Sequence, residues 1–406
     1  MSGGKDKRIL DFTIDKNKAK CCGCQACFNG CPKKAISMIE DNKGFKYPIV
    51  DKNKCINCGL CKKVCPVLKD DTNTNNIKVY ACINKDKNKR ERSSSGGIFT
   101  LLAQEILKDG GAVIGAAFDE NFEVRHICVQ DDKDLQKIYK SKYVQSDINT
   151  MYVKAKDMLE KNRKVLFTGT PCQIEGLYSF LGREYENLYT HDFICHGVPS
   201  PKVWKKYKKY IEKKSGKQIK SIDFRNKTYG WKKYYLKFTF DDSTYEDNIN
   251  FDPYLKLFLN DIILRDSCYK CKFKKINRKS DVTLADFWGV EKVLPDLFDN
   301  KGISTVIINT EKGRQLFNNI LESIEYKEIE LIDVVKYNPS MIISAKKNIN
   351  INKFFDIYEK DNFDFCKYAK KVTKKSFSNR VKTKIKLIFR KNEIKKKLEE
   401  LQNEIN

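Results

Sequence analysis

In the stretch 21–32, CCGCQACFNGCP, Cys21, Cys24, Cys27 and Cys31 are followed by Pro32; in 55–66, CINCGLCKKVCP, Cys55, Cys58, Cys61 and Cys65 are followed by Pro66. Both runs obey Cys-x2-Cys-x2-Cys-x3-Cys-Pro. A cubane cluster needs four thiolates at tetrahedral positions, and two runs supply two such sets. Zinc is the competing reading. It takes four ligands in total and has no use for two tight runs each ending in Cys-Pro. A disulfide framework fits less well, since the chain shows no sign of secretion. The spacing therefore predicts two 4Fe–4S clusters and one-electron transfer at low potential. Cys22 reads as a bystander, because moving the first ligand to it breaks the three-residue step to Cys24.

This double run resembles that of bacterial two-cluster ferredoxins. The resemblance implies a crossover: three close cysteines wrap one cluster and the fourth reaches the other. Cys21, Cys24, Cys27 and Cys65 then hold one cluster, and Cys55, Cys58, Cys61 and Cys31 hold the second.

At 406 residues the chain is too long for such a module alone, and two or three domains are expected. Residues 1–20 are polar and charged, without the apolar core of a signal peptide. The longest apolar stretch, 112–118, reads as a buried strand and not a membrane span. Oxygen-sensitive clusters, reduced thiols and no export signal together predict a cytoplasmic protein. The formal net charge is +26. Clusters with their thiolates, at about −2 each, lower it without reversing it. No recognition motif accompanies the charge, which argues against nucleic acid. Acidic redox donors such as ferredoxin or flavodoxin, or an organic or phosphorylated small-molecule substrate, suit it better.

The expected architecture is α+β. An extension (1–19) precedes the two-cluster ferredoxin-type domain (20–68), which carries a hairpin at 35–50, and a polar linker (69–76) follows. Next come an α/β region with a mixed sheet (77–160 and 161–345) and a basic helical tail (346–406). Strands are expected at 79–83, 112–118, 122–129, 165–169, 188–194, 234–240, 282–285 and 305–309. Helices are expected at 98–107, 174–181, 202–213 and 313–324. In the tail, residues 367–392 hold no acid, and Ile394, Leu398, Leu401 and Ile405 form an apolar stripe. A solvated capping helix, contact with an anionic membrane surface, and a short coiled coil are the three readings of it.

Four more cysteines stand in turn-like settings: Cys172, Cys195, and the pair Cys268 and Cys271. The first two follow predicted strands, at the sheet edge where α/β proteins place cofactors. Spacing alone leaves a third cluster, zinc and unrelated core cysteines all open. The segments Ser94-Ser95-Gly96-Gly97, Ser141-Lys142-Tyr143, Gly169-Thr170-Pro171-Cys172-Gln173, Cys195-His196-Gly197-Val198-Pro199-Ser200 and Asp281 to Gly289 decide more. Taken in order, they resemble the beta subunits of coenzyme F-420 hydrogenases and dehydrogenases, over residues 77–336.

That resemblance implies an iron–sulfur flavoprotein. FAD would accept electrons from a further 4Fe–4S cluster on Cys172, Cys195, Cys268 and Cys271. Ser94, Ser95, Gly96 and Gly97, at a helix start, suit a pyrophosphate, since free N–H groups and the helix dipole attract anions there. Ordinary helix capping by Ser95 is the plainer reading. Lys142 and Tyr143 are candidates for a phosphate contact and a ring stack. Asp286, Phe287 and Trp288 are candidates to wall the isoalloxazine, although core packing explains the two aromatics nearly as well. His196, beside Cys195, is a candidate proton donor, with a satisfied hydrogen-bonding role as the alternative; His126 and His191 read as structural.

The expected function is electron transfer from ferredoxin-type clusters through a further cluster to FAD, for hydride transfer to an organic substrate or the deazaflavin coenzyme. The alternatives are an electron-transfer subunit serving a partner enzyme, and a cluster-bearing scaffold or sensor.

Overall fold

The computed structural model describes residues 18–69, 76–359, 363–373 and, near the carboxyl end, 396, 397, 399 and 400. The apolar stripe of the tail and most of the expected linker lie outside these residues. In chain order the strands are β1 (Ile36–Glu40), β2 (Lys46–Val50), β3 (Lys78–Asn84), β4 (Ala112–Phe118), β5 (Val124–Val129), β6 (Val165–Thr168) and β7 (Leu188–Phe193). They continue with β8 (Ser221–Asn226), β9 (Tyr235–Thr239), β10 (Thr244–Asn248), β11 (Val282–Asp286), β12 (Ser304–Ile308) and β13 (Ile324–Glu328).

Eight strands form one mixed sheet in the order β13-β3-β12-β11-β7-β6-β4-β5. Its centre, β4, β6, β7 and β11, is parallel, and both flanks are antiparallel. Every residue of β6 and β12 is buried, so neither strand alternates between apolar and polar faces; β6 reads as an apolar run, Val165-Leu166-Phe167. The helix Ile98–Lys108 covers one face through Ile98, Leu102, Ala103 and Ile106. Burying each larger aliphatic of that set contributes about 1.5–3 kcal/mol.

Three helices start with proline at the first turn: Pro171–Leu181, Pro201–Ser215 and Pro253–Leu259. Proline lacks only an N–H that would be unpaired there, and its φ is already helical. Ser200 and Asp252 cap the second and third, accepting from the N–H groups of Val203 and Leu255. At the first, the Thr170 N–H donates to Gln173 Oε1 at 2.9 Å. The helix expected at 174–181 therefore begins one turn earlier, a shift that bears on Cys172.

The helix expected at 313–324 instead runs Glu311–Asn318. Thr310 Oγ1 caps it by accepting from the Gly313 N–H. It ends at paired asparagines, Asn318 and Asn319, which release the chain to form the edge strand β13 against β3. β8, β9 and β10 make a separate antiparallel sheet over an aromatic core around Trp204, Tyr207, Phe224 and Tyr254. Helices Ile351–Tyr358 and Phe365–Thr373 bury Phe354, Tyr358, Phe365 and Ala369 in that same core. The region expected as tail from 346 thus begins as part of the domain, because its aromatics are needed to close the core. Among the described residues no helix is long and apolar enough to cross a membrane.

Candidate iron–sulfur and cofactor sites

The amino-terminal module folds around the antiparallel hairpin β1–β2, with Met38 opposite Pro48. A recess beside the Ile36–Val50 pair is lined by Cys31, Cys55, Cys58 and Cys61. A second, beside the Met38–Pro48 pair, is lined by Cys21, Cys24, Cys27 and Cys65, with Cys22 beside them. Each run turns sharply at left-handed residues, Gly23 and Gln25 in one, Asn57 and Gly59 in the other. These turns bring sequence-adjacent thiols onto one wall, and the last cysteine of each run reaches the opposite recess.

Burial pushes the Cys27 thiol up, and neighbouring thiols add to the shift; Cys65 is pushed up to about 11 by the same causes. A bound iron cluster would supply the positive charge that lets such crowded buried thiols ionise. Among the described residues no group of three or more His, Cys, Asp or Glu side chains is arranged to hold a single metal ion.

Cys172 lies in the first turn of Pro171–Leu181, just beyond β6, and Cys195 lies just beyond β7. Both stand at the carboxyl edge of the parallel strands. A 3-10 turn, Asp266–Lys270, presents Cys268, with Cys271 directly after it. The four thiols are close enough to influence one another. Burial raises Cys195 to about 12, with Cys172 and Cys271 contributing, and Cys268 is raised by burial and by Cys195, Cys271 and Cys172. The Lys274 amine stands beside them, donating to Ser340 O at 2.7 Å and to Cys195 O. The structure therefore brings together four cysteines spread over a hundred residues of sequence.

Cys22 links this set to the amino-terminal module. Its thiol stands beside those of Cys24 and Cys172, close enough that each shifts the ionisation of its neighbour. The helix carrying Cys172 also meets Cys24 directly through Gly176, where an added Cβ would lie 2.8 Å from Cys24 Cβ and 3.0 Å from its Sγ. Arg265, 1% exposed, clamps the same junction. Its guanidinium donates to Cys21 O at 2.8 Å, to Cys21 Sγ at 3.6 Å, to Lys46 O at 2.9 Å and to Gln145 Oε1 at 3.0 Å. Reading Cys22 as a bystander missed this; a cysteine adjacent to a ligand run was the available signal.

The expected flavin residues converge, but not all in the expected roles. Ser94 Oγ accepts from the Ser141 N–H at 2.8 Å, which joins two of the quoted segments. Gly96 departs from expectation. Its N–H donates to Ser304 Oγ at 2.9 Å, and an added Cβ would lie 2.4 Å from Cys82 O, so its lack of a side chain serves packing on β3 and β12. The Ser95 hydroxyl donates to Ile303 O at 2.8 Å, and Gly97, at φ +85°, caps the helix instead. Phe287 is wholly buried among Ala81, Trp231 and Ile303 and walls no site. Trp288 is half-buried and stacks on Trp231, ring centres 4.7 Å apart.

Arg225, on β8, ties the remaining segments together and was not foreseen from sequence. It is 2% exposed, and it donates to Ser94 O at 3.2 Å, to Tyr143 OH at 3.3 Å and to Asp286 at 3.0 Å. Its Nε is buried without a hydrogen-bond partner. Lys227 donates to Ser95 O nearby, and burial lowers its amine to about 8. Lys142 donates to Tyr139 O at 2.6 Å, and burial lowers it to about 7. Arg225 thus meets Ser94, Tyr143 and Trp288 and keeps one orphan donor, with Lys227 beside it at Ser95. An isolated arginine in a short strand carries no sequence signal of such a role.

His196 pairs with Asp261 through Nε2 at 2.6 Å, and its Nδ1 lies 3.4 Å from Ser340 Oγ. Both ring nitrogens are committed to protein partners, the satisfied role. Its ring meets Phe258 edge-on at 5.3 Å, and Phe258 stacks on Tyr143 at 5.1 Å. An aromatic path thus runs from the Cys195 turn to the Arg225 region. His126 and His191 are buried, as structural histidines are.

A two-cluster ferredoxin module docked against a mixed α/β domain whose sheet edge gathers four more cysteines defines an iron–sulfur protein of the oxidoreductase kind. The chain belongs to the coenzyme F420 hydrogenase/dehydrogenase beta subunit family: its amino-terminal model matches residues 79–152 and its carboxyl-terminal model 162–334, while a 4Fe-4S dicluster model matches 20–68. A coenzyme F420-dependent sulfite reductase of Methanocaldococcus jannaschii is 27% identical over 338 residues, covering 78% of this chain and 48% of that protein. The chain thus spans about half the length of this curated relative. An uncharacterized ferredoxin of the same organism is 37% identical over 83 residues, 20% of this chain and 97% of its own length. A chain of the F420-reducing [NiFe] hydrogenase complex from Methanosarcina barkeri aligns with a TM-score of 0.46 at 15% identity, covering 71% of this chain and 94% of that one.

Proposed function

We propose that the protein is an FAD-dependent iron–sulfur oxidoreductase with three 4Fe–4S clusters. In this reading Cys31, Cys55, Cys58 and Cys61 hold one cluster, Cys21, Cys24, Cys27 and Cys65 a second, and Cys172, Cys195, Cys268 and Cys271 a third. The observation that carries it is the alignment of centres: the Cys22–Cys172 contact joins the module to the third set, and His196, Phe258 and Tyr143 join that set to the Arg225 region.

Arg225, Lys227, Lys142 and Ser94 would hold the flavin nucleotide's phosphates, and Tyr143 and Trp288 would flank its ring. Arg225 Nε, a buried donor without a partner, fits an anionic group there. Bound FAD would supply the conversion between single electrons and a hydride. The substrate is an organic molecule or the deazaflavin coenzyme that names the family, and a third cluster held by Cys172, Cys195, Cys268 and Cys271 would supply an electron relay between module and flavin.

The test is iron, sulfide and flavin content after anaerobic purification. Roughly twelve irons and one FAD per chain support the reading. Roughly eight irons without flavin overturn it.

A second reading has its own support. The sulfite reductase relative has about as much chain again beyond the match. This protein would then be an electron-transfer unit whose terminal reaction belongs to a separate partner. Flavin-dependent turnover of a small substrate by the isolated protein would exclude that.

A further inference from the structure

The two recesses of the amino-terminal module face different surroundings. Cys21, Cys24, Cys27 and Cys65 are buried against the main domain, and Arg265 and Gln145 close over their loop. The recess of Cys31, Cys55, Cys58 and Cys61 lies at the outer end, with Cys58 exposed. Ile56, 58% exposed, and Leu60, 37% exposed, stand beside Cys58. Two apolar side chains held in water at the lip of a redox centre are the anatomy of a contact core.

The charge around this lip is predominantly positive. Residues 28–39 and 52–69, which carry these four cysteines, contain seven lysines and no acidic residue. Lys33, Lys34, Lys52, Lys54 and Lys63 are all exposed. Asp51, the neighbouring acid, forms an ion pair with Lys54 at 3.3 Å. An apolar centre inside a positive rim raises the encounter rate with a negative partner and repels a positive one.

We infer that this lip is the docking surface for an acidic one-electron carrier protein, with Ile56 and Leu60 as its contact core and the lysines as its steering rim. The inference rests on the proposed redox reading and adds the partner and its place. Each docking event oxidises the carrier by one electron and reduces the outer cluster by one. Two events supply the pair that a two-electron substrate needs. The buried recess takes no part in docking and receives electrons only from within.

The experiment is stopped-flow reduction of the cluster-loaded protein by a reduced acidic two-cluster ferredoxin, at low and at high salt. Reduced methyl viologen, a small cation, is the parallel reductant. The second-order rate constant with ferredoxin should fall about 10-fold or more from low to high salt. Lys34→Glu with Lys63→Glu should slow it about 10-fold at low salt, with viologen reduction and iron content unchanged. Ile56→Asp should slow it at both salts. If the charge reversal lowers iron content, Lys34→Gln with Lys63→Gln makes the same comparison, with a slowing of roughly 3-fold expected. Ferredoxin rates that ignore both salt and these substitutions overturn the docking surface and leave the redox reading standing. Failure of viologen to reduce the wild-type clusters overturns the redox reading itself.

Discussion

The thiols of Cys22 and Cys172 stand close enough to shift each other's ionisation, one from the amino-terminal module and one from the sheet edge of the main domain. Cys22 also stands beside Cys24, so its thiol would be placed to donate to ligand sulfurs if these cysteines hold clusters. Hydrogen bonds to cluster sulfurs favour the more negative, reduced state and raise the reduction potential. Cys22→Ala should therefore keep full iron content while moving a cluster potential to more negative values in an EPR-monitored titration. Cys172→Ser should lose roughly four irons. A loss of four irons in Cys22→Ala would make Cys22 a ligand instead of a donor.

Gly176 holds the module against the main domain by having no side chain. A Cβ there would lie 2.8 Å from Cys24 Cβ and 2.9 Å from Tyr152 OH, inside normal contact. Gly176→Ala should cost about 1–3 kcal/mol by overpacking, despite alanine's better helix propensity. Denaturant unfolding of the anaerobic protein measures this, and equal or higher stability would show that the helix can move away from the Cys24 loop.

Arg225 joins Ser94, Tyr143 and Asp286, and Asp286 Oδ1 also accepts from Trp231 Nε1 at 2.9 Å. Arg225→Gln leaves the half-buried Asp286 carboxylate short of its cation, a loss below the roughly 3–5 kcal/mol of a fully buried pair. Bound flavin per chain should fall well below that of the wild type, while iron content stays level. Arg225→Lys should restore charge but not the forked geometry, giving partial recovery. Unchanged flavin content in the glutamine variant would remove Arg225 from the nucleotide site.

His126 sets a pH dependence of stability. Burial lowers its imidazole from the usual 6.5 to about 4, while Ser146 Oγ at 2.7 Å and Thr168 O at 2.9 Å occupy its ring nitrogens. The folded state thus binds fewer protons than the unfolded chain between these values. Its contribution is present in full above pH 6.5 and lost as pH falls toward 4, about 3 kcal/mol in all. His126→Asn should make the slope of unfolding free energy against pH shallower by close to one proton in that window. An unchanged slope would mean that the imidazole is charged in the fold.

Local chemistry explains what was legible in the residues. Cys-x2-Cys-x2-Cys-x3-Cys-Pro places thiols on one wall through short turns, so the spacing alone announces the two cluster recesses. Unbroken apolar runs such as β6, and the Thr170-Pro171, Ser200-Pro201 and Asp252-Pro253 starts, declare strands and helices because burial and capping act within a few residues. Gly96 and Phe287 misled, since a glycine serves a phosphate or a packed strand equally well, and an aromatic walls a ring or a core. The sequence by itself therefore determined the ferredoxin module, the order of α/β elements and the family. Only the tertiary structure decided that Cys172, Cys195, Cys268 and Cys271 come near enough to influence one another, that Cys22 and Arg265 join the amino-terminal module to the main domain, and that Arg225 knots three distant segments. Those relationships depend on which strands lie side by side, and neighbours in a sheet are chosen by packing across the whole chain, which no local pattern of residues records.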